Sequence, residues 1–457
     1  SNGNGNDNDN DNDNGNSRTT SRSRFRLGYV TDVEGNIDYF LKFVQHSHVL
    51  TIQYWDTKTL ILALKEEAYF VYGGDAVDKG PGDIRLVHAL VALKRRYPHR
   101  VYLLVGNRDL NKLRFVAELS QEDLTRPLPD IPPPHWDPTA PSLLEYLTHK
   151  QQQQGDNSNI NNTNIDIQTL NTRTNRLQYM LTHTLGCPQT FEFRREELGI
   201  LLNNDEDEDE DDDEDGTNNF IDDETVVDSF LEEIQIGGSL YEYLSLADVA
   251  IVIGTTLFCH GAVDRHTMGF VPKLDTKFEN PTSKPKAGRS FISSTSRSNG
   301  DSDAVSEWTE ALNEYLKIGL NDYNQRPNWN ANRTSRGGEA LLALQNRAAM
   351  WGRSIVSNCY GDGGCITTSY ATEVRKERQL DDDTDDNDDD DNNNGVDDPL
   401  LFENTSSDPM DTDVSQWLLQ NGIHRVVVGH KPTGDSPAVL SADYTGVEIV
   451  SADTSFS

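Results

Sequence analysis

The sequence predicts an α/β fold interrupted by disordered acidic insertions, and three observations carry that prediction. Short β-rich runs alternate with runs of helical spacing early in the chain. Single acids, amides and histidines follow directly after the β-rich runs, and much of the remaining polarity is gathered into low-complexity blocks.

The first run, FRLGYV from Phe25 to Val30, alternates bulky with small or polar residues, and Ile37 to Val44 repeats its apolar residues at helical spacing. Asp32 and Glu34 therefore sit at a strand-to-helix turn. Two readings compete there. One is a helix N-cap, a position that suits Asp and Asn and where an acid favours the helix dipole. The other is a ligand site, because ligands of open α/β sheets bind beyond the carboxyl ends of the strands. Next, AYFVYGG from Ala68 is a β-rich run that stops at Gly73 and Gly74 and is followed by Asp75. Ile84 to Lys94 has helical spacing, and RVYLLVGN is another strand, ending at Asn107. Strand, helix, strand in this order gives parallel neighbours with a right-handed crossover, so Asp32, Asp75 and Asn107 emerge at one edge of one sheet. One acid there is ordinarily a cap; three oxygen donors delivered to one edge form a constellation.

Toward the other end, VAIVIGTTLFCHGAV places His260 after a buried-looking strand, and HRVVVGHKPTGDSP places His430 after another. A lone histidine in that position is more often structural, but both recur in the context of the carboxylates. Between them, Ala304 to Tyr323 has the spacing of a long helix. Arg347 and Arg353 follow it, and helix-surface ion pairs explain them at least as well as substrate contact does.

Of the 457 residues only 35% are hydrophobic, and the net charge is -36. Residues 1–16 are almost wholly Asn, Asp and Gly, residues 205–215 are all acidic, and residues 381–391 contain only Asp, one Thr and one Asn. Such segments bury too little apolar surface to offset their ordering entropy. The charge belongs mostly to these inserts, and it excludes nucleic acid and anionic membrane as general partners; a basic protein or a cation is the attraction expected. Cys187, Cys259, Cys359 and Cys365 form neither a disulfide framework nor a zinc spacing, which points to a reducing, cytoplasmic setting. The longest apolar run, Leu246 to Phe258, carries an Asp and is too short for a bilayer span of about 20 residues.

In chain order, Asp32-Val33-Glu34, Gly74-Asp75-Ala76-Val77-Asp78, Gly106-Asn107-Arg108-Asp109, His260 and Gly429-His430-Lys431-Pro432 resemble the calcineurin-like metallophosphoesterase superfamily. Its pattern is D-x-H, G-D-x-x-D, G-N-H-[DE], a His, and G-H-x-[HP]. The resemblance covers about half of the chain, and GDAVDKGPGD is its most specific block. It implies two mixed sheets packed face to face with helices outside, in one domain over residues 25–457 after a tail at 1–24. Inserts are expected near 150–164, 203–224, 280–302 and 378–413. It also implies a two-metal site bridged by Asp75, with Asp32 and Glu34 on the first metal and Asn107, His260 and His430 on the second. Mn²⁺ is the expected ion, with Mg²⁺, Fe and Zn²⁺ as alternatives. Two cations about 3.5–4 Å apart stabilise the attacking and leaving oxygens of phosphoryl transfer and acidify a bound water. The reaction implied is hydrolysis of phosphate esters or anhydrides by a hydroxide bridging the metals.

Two positions depart from the family pattern. Glu34 replaces the imidazole of D-x-H, and Arg108 stands where the family's G-N-H histidine, oriented by the second Asp of its block, is assigned as the acid that protonates the leaving group. Asp78 is therefore expected to face a guanidinium, which binds phosphate in bidentate fashion and cannot give up its proton. Lys79 is a candidate second phosphate contact, against the reading of an ordinary surface lysine. The catalytic candidates are thus Asp78, Arg108 and Lys79, acting on a phosphorylated substrate of unspecified class. Loss of the acid also motivates a rival, a catalytically weak or inactive metal- or phosphate-binding module. A third reading is an interaction protein that uses its acidic tracts.

Overall fold

The computed structural model describes residues 25–134, 139–156, 166–202, 221–263, 268–273, 288–292, 304–342, 412–430, 432–433, 436–441 and 446–454. Strand β1 (Arg26–Val30) leads into helix α1 (Ile37–His46), whose N-cap is Asn36: its side chain accepts from the Tyr39 N–H at 3.0 Å. The capping role that competed for Asp32 and Glu34 thus falls to their neighbour. Helix α1 turns Ile37, Phe40, Leu41 and Val44 inward, the i, i+3, i+4, i+7 stripe that one buried face requires. Truncating Phe40 to Ala is worth about 3–5 kcal/mol of stability at such a buried position.

An antiparallel hairpin, β2 (Leu50–Trp55) with β3 (Leu60–Leu64), precedes β4 (Ala68–Tyr72), helix α2 (Asp83–Arg96) and β5 (Val101–Leu103). Strands β1, β4 and β5 form a sheet in that order and are all parallel. Strands β4 and β5 are each reached by a crossover, and among the described residues every pairing in this sheet is parallel. Short helix α3 (Asn107–Asn111) follows β5, and helices α4 (Thr190–Leu202) and α5 (Ser239–Leu246) come later in the chain.

The second sheet is mixed. Its strands are β6 (Ala250–Ile253), β7 (Thr256–Cys259), β10 (Arg425–Val428), β11 (Ala438–Ser441) and β12 (Glu448–Ser451), in the order β11-β12-β10-β7-β6. A separate pair, β8 (Phe270–Pro272) with β9 (Gly288–Ser290), lies outside it. Strand β10 runs parallel to β7 and β12, while β6/β7 and β11/β12 are antiparallel. The run read as one strand before His260 is a hairpin, turned at Gly254, where φ is +64° and glycine is favoured.

An apolar layer joins the inner faces of the two sheets: Val71, Leu104, Ile251, Phe258 and Val427 are buried there, flanked by Leu27, Tyr29 and Val450. The rings of Tyr29 and Phe258 meet across it at 5.9 Å. Outside the second sheet lie α6 (Ala304–Gln325) and α7 (Thr412–Gln420), locked by Trp308 against Trp417 at 5.5 Å. Asn313 of α6 accepts the Val249 and Ala250 N–H groups and donates to Ala250 O, covering the edge strand β6. With α1 and α2 on the first sheet, the layers read helix, sheet, sheet, helix.

The expected inserts are shorter at their ends than the composition indicated. The helix Leu143–Asp156 enters the Gln-rich stretch, held by Lys150 Nζ at 2.6 Å from both Asn175 Oδ1 and Gln178 Oε1. Asp222 caps the helix Asp223–Glu233, and α7 starts inside the span 378–413. The tail 1–24, most of each insert, Arg347, Arg353, Cys359 and Cys365 lie outside the described residues. Cys187 and Cys259 are buried. No helix among the described residues is long and apolar enough to cross a membrane.

Candidate metal centre

The turn after β1 and the turn after β4 run side by side, joined by backbone hydrogen bonds. The Asp32 N–H donates to Gly74 O (3.0 Å), Glu34 N–H to Asp75 O (3.1 Å) and Gly35 N–H to Ala76 O (2.8 Å). The parallel pairing thus continues past the strands and presents Asp32, Glu34 and Asp75 together. Two further loops close on them only because they carry glycine. A Cβ on Gly106 would lie 2.0 Å from Asp75 Oδ1, and one on Gly429 would lie 2.2 Å from Asp32 Oδ2. The backbone here is also unusual. Among the described residues, the non-glycine positions with positive φ are Asp32 (52°), Glu34 (49°), Asp75 (52°), Asp78 (127°) and His430 (69°), with only Glu67 and Arg333 elsewhere. Such conformations cost on the order of 1–3 kcal/mol each and gather where function requires them.

Two donor sets overlap. Ligand atoms of Asp32, Glu34 and Asp75 lie within 4.8 Å of one another, as do those of Asp75, His260 and His430, so Asp75 belongs to both. His260 is fully buried, and its Nδ1 lies 2.9 Å from the Gly73 carbonyl, an acceptor that places the proton on Nδ1. Nε2 then aims its lone pair at Asn107 Oδ1 (3.0 Å) and Asp75 Oδ2 (3.3 Å). Three lone-pair donors facing one another repel unless a proton or a cation sits among them, and this arrangement fits a metal ion. The His430 ring stands 5.2 Å from that of His260, and its backbone N–H donates to both Asp32 oxygens, at 3.2 and 3.1 Å.

Burial governs the protonation of these groups. Burial, reinforced by Asp75 and Glu34, pushes Asp32 up to about 7, against the pull of His260 and Thr31. Burial also raises Glu34, opposed by Arg108 and Lys79. Asp75 goes the other way: burial would raise it, but His260, Arg108 and His430 together hold it well below the usual carboxylate range. Burial opposes the charged form of His260, yet Asp75 and Asp32 lift its imidazole to about 10. A cation bound here would displace that proton and take over its electrostatic role.

On the carboxylate side the chain supplies cations of its own. Arg108 Nε pairs with Glu34 Oε1 at 2.8 Å, and its Nη1 donates to Asp78 Oδ2 and to the Leu185 carbonyl, both at 3.2 Å. Lys79 Nζ pairs with Glu34 Oε2 at 2.6 Å while its side chain stays 44% exposed, so it is neither a free surface lysine nor a buried one. Lys112 Nζ lies 2.5 Å from the other Asp78 oxygen.

The nine metal-ligand and catalytic candidates are therefore gathered at one place: Asp32, Glu34, Asp75, Asn107, His260 and His430 around the shared carboxylate, and Asp78, Arg108 and Lys79 beside Glu34. Sequence reasoning missed three others. Asp109 accepts the N–H groups of Asp75, Ala76 and Gly106 at 3.0, 2.8 and 2.9 Å, pinning the loops that carry Asp75 and Asn107. Its place in the G-N-R-D block was the available signal. Lys112 gave none, and neither did buried Asp453, pushed up to about 9 by burial together with Asp32 and Glu34.

No family model and no curated protein matches the chain. Among solved structures it is similar to a cold-active protein-tyrosine phosphatase of a psychrophilic Shewanella species. Identity is 12% and the TM-score 0.33, over 94% of this chain and 72% of that one. Another structure of a cold-active protein tyrosine phosphatase gives 12% identity and a TM-score of 0.31, over 94% and 71%. These neighbours are phosphatases, but at such TM-scores the likeness fixes neither fold nor activity, and the side chains above carry the functional reading.

Proposed function

We propose that this chain is a divalent-metal-dependent phosphoesterase of the calcineurin-like kind, acting on phosphate esters or anhydrides. One observation carries the reading: Asp75 is common to an all-carboxylate donor set and to a set with two imidazoles. A carboxylate is the side chain that can offer an anionic oxygen to each of two cations. Asp32, Glu34 and Asp75 would hold one ion, and Asp75, Asn107, His260 and His430 the other. When bound, the pair of ions supplies charge stabilisation for the attacking and leaving oxygens and acidifies water.

The chain's own residues do the rest. The Gly73 carbonyl and Asp109 orient His260 and the Asp75 loop. Asp78 and the Leu185 carbonyl fix Arg108, whose remaining donors suit phosphoryl oxygens. Lys79, half exposed at the rim, can release Glu34 and turn to substrate. Arg108 remains protonated and gives no proton to the leaving group, so this site favours leaving groups that need none.

The test is a hydrolysis screen over phosphomonoesters, diesters and phosphoanhydrides with Mn²⁺, Mg²⁺, Zn²⁺ and Fe. Turnover that requires added metal is expected. Tight phosphate binding with no turnover of any ester under any metal would replace this reading with that of a phosphate-binding module, which the arginine at position 108 also fits.

A further inference from the structure

Lys112 is one of the largest fully buried side chains among the described residues, and it is an ammonium. Its side chain is 2% exposed, and the Asp78 carboxylate that it meets is 0% exposed. The face of Phe115 also lies near Nζ, 5.9 Å to the ring centroid. A buried ion pair of this kind is a poor source of stability, since an apolar pair of similar size often does as well. Its retention calls for another reason.

Geometry supplies one. Lys112 follows Arg108 by four residues at the end of α3, so both side chains leave the same face and converge on Asp78. Lys112 takes Oδ1 and Arg108 Nη1 takes Oδ2. Arg108 is thereby held by Nη1 to Asp78 and Leu185 and by Nε to Glu34, which leaves Nη2 with no partner among the described residues. A lone carboxylate beside an arginine prefers the two-pronged pairing, with both oxygens on two guanidinium nitrogens. With Lys112 on Oδ1, Asp78 meets Arg108 through Oδ2 alone among the described contacts.

We propose that Lys112 is a positioning residue: by clamping Asp78 it keeps Arg108 from folding back onto that carboxylate, so that Nη2 stays directed to the phosphoryl group. Lys112 also leaves the group of Asp78, Lys112 and Arg108 with one net positive charge facing an anionic ligand. The proposal rests on the phosphoesterase reading for the identity of the ligand, and the geometry of the clamp is independent of it.

The experiment is a double-mutant cycle on the full chain, with inorganic phosphate as the probe and calorimetry as the readout. Lys112→Met should weaken phosphate binding about tenfold, the worth of one charge-assisted hydrogen bond. In an Asp78→Asn background, where the Asp78 carboxylate no longer competes for Arg108, the same change should alter affinity by less than about twofold. With p-nitrophenyl phosphate, KM should rise in step with the lost affinity while kcat changes less. A folded Lys112→Met that binds phosphate like the wild type overturns the proposal, as does equal weakening in both backgrounds. If Lys112→Met does not fold, Lys112→Gln takes its place in both backgrounds and the same two outcomes decide. Phosphate binding that follows the cycle in a protein that turns over no ester would overturn the phosphoesterase reading and leave the role of Lys112 standing.

Discussion

The two halves of the site end on the same kind of strand edge yet differ in chemistry. The half from the parallel sheet offers carboxylates, and its Glu34 already carries Lys79 and Arg108. The half from the mixed sheet offers imidazoles, with His260 buried, backed by a carbonyl and free of any lysine or arginine partner among the described residues. The first half thus combines oxygen donors with cationic side chains of a kind that suits phosphate, while the second offers nitrogen donors of a kind that suits a metal ion. The two meet at Asp75, through His260 on the Gly73 carbonyl and Asn107, and through the His430 N–H on Asp32.

The largest expected effect lies in the cationic half. With Arg108 in place of a proton donor, aryl phosphates and anhydrides should outpace alkyl phosphates by about 10²- to 10⁴-fold, the usual worth of general acid catalysis. Arg108→His should close much of that gap, and Arg108→Ala should weaken phosphate binding without closing it. Rates across a series of leaving groups of graded pKa check this, and a flat dependence in the wild type with chemistry rate-limiting would contradict it.

A smaller effect separates the halves by metal. All-oxygen ligands suit Mg²⁺ and Mn²⁺, and imidazoles suit Zn²⁺ and Fe. Glu34→His brings nitrogen to the first half and should move relative affinity toward Zn²⁺ by about tenfold, the scale of single changes around a metal ligand. Competition of Zn²⁺ against Mn²⁺ in the two proteins checks it; an unchanged ratio would mean that Glu34 serves only Lys79 and Arg108.

The legibility of the site follows the same division. Asp32, Asp75, Asn107, His260 and His430 could be found because each comes directly after a β-rich run, and strand periodicity is written locally. Lys112 and Asp453 could not, because NKLRF and SADTS read as ordinary helix-end and loop segments and their contacts come from chain brought in by the fold. Asp78 meets Lys112 from 34 positions away, with its backbone at a φ of 127° that no local pattern announces. Among the strands, the hairpin at Gly254 was hidden in an unbroken apolar stretch. The insert ends were misjudged because Gln extends helices and Asp caps them as readily as either populates a loop.

The smallest expected effect is on stability. Asp32 and Asp109 are raised to about 7, chiefly by burial, and Asp453 to about 9. An acid raised in the folded state contributes fully below its unfolded value and loses that contribution as pH climbs through the folded one. His260, raised to about 10 by Asp75 and Asp32 against the effect of burial, loses its contribution in the same direction, from its unfolded value upward. Chelator-treated protein should therefore lose about 5 °C in Tm between pH 5 and pH 9, and Mn²⁺ should restore most at pH 9. Thermal scans with and without metal check the sign; a Tm that rises with pH in the metal-free protein would contradict it.

The central claim is that one carboxylate, Asp75, joins the two halves into a single centre. The most direct test is elemental analysis of bound Mn²⁺ in the wild type and in Asp75→Asn, purified and dialysed side by side, with folding checked by circular dichroism. The account predicts about two ions per chain in the wild type, as a two-metal site requires, and loss of both in the variant. A wild type that binds one ion or none, or a folded Asp75→Asn that keeps both, would contradict it.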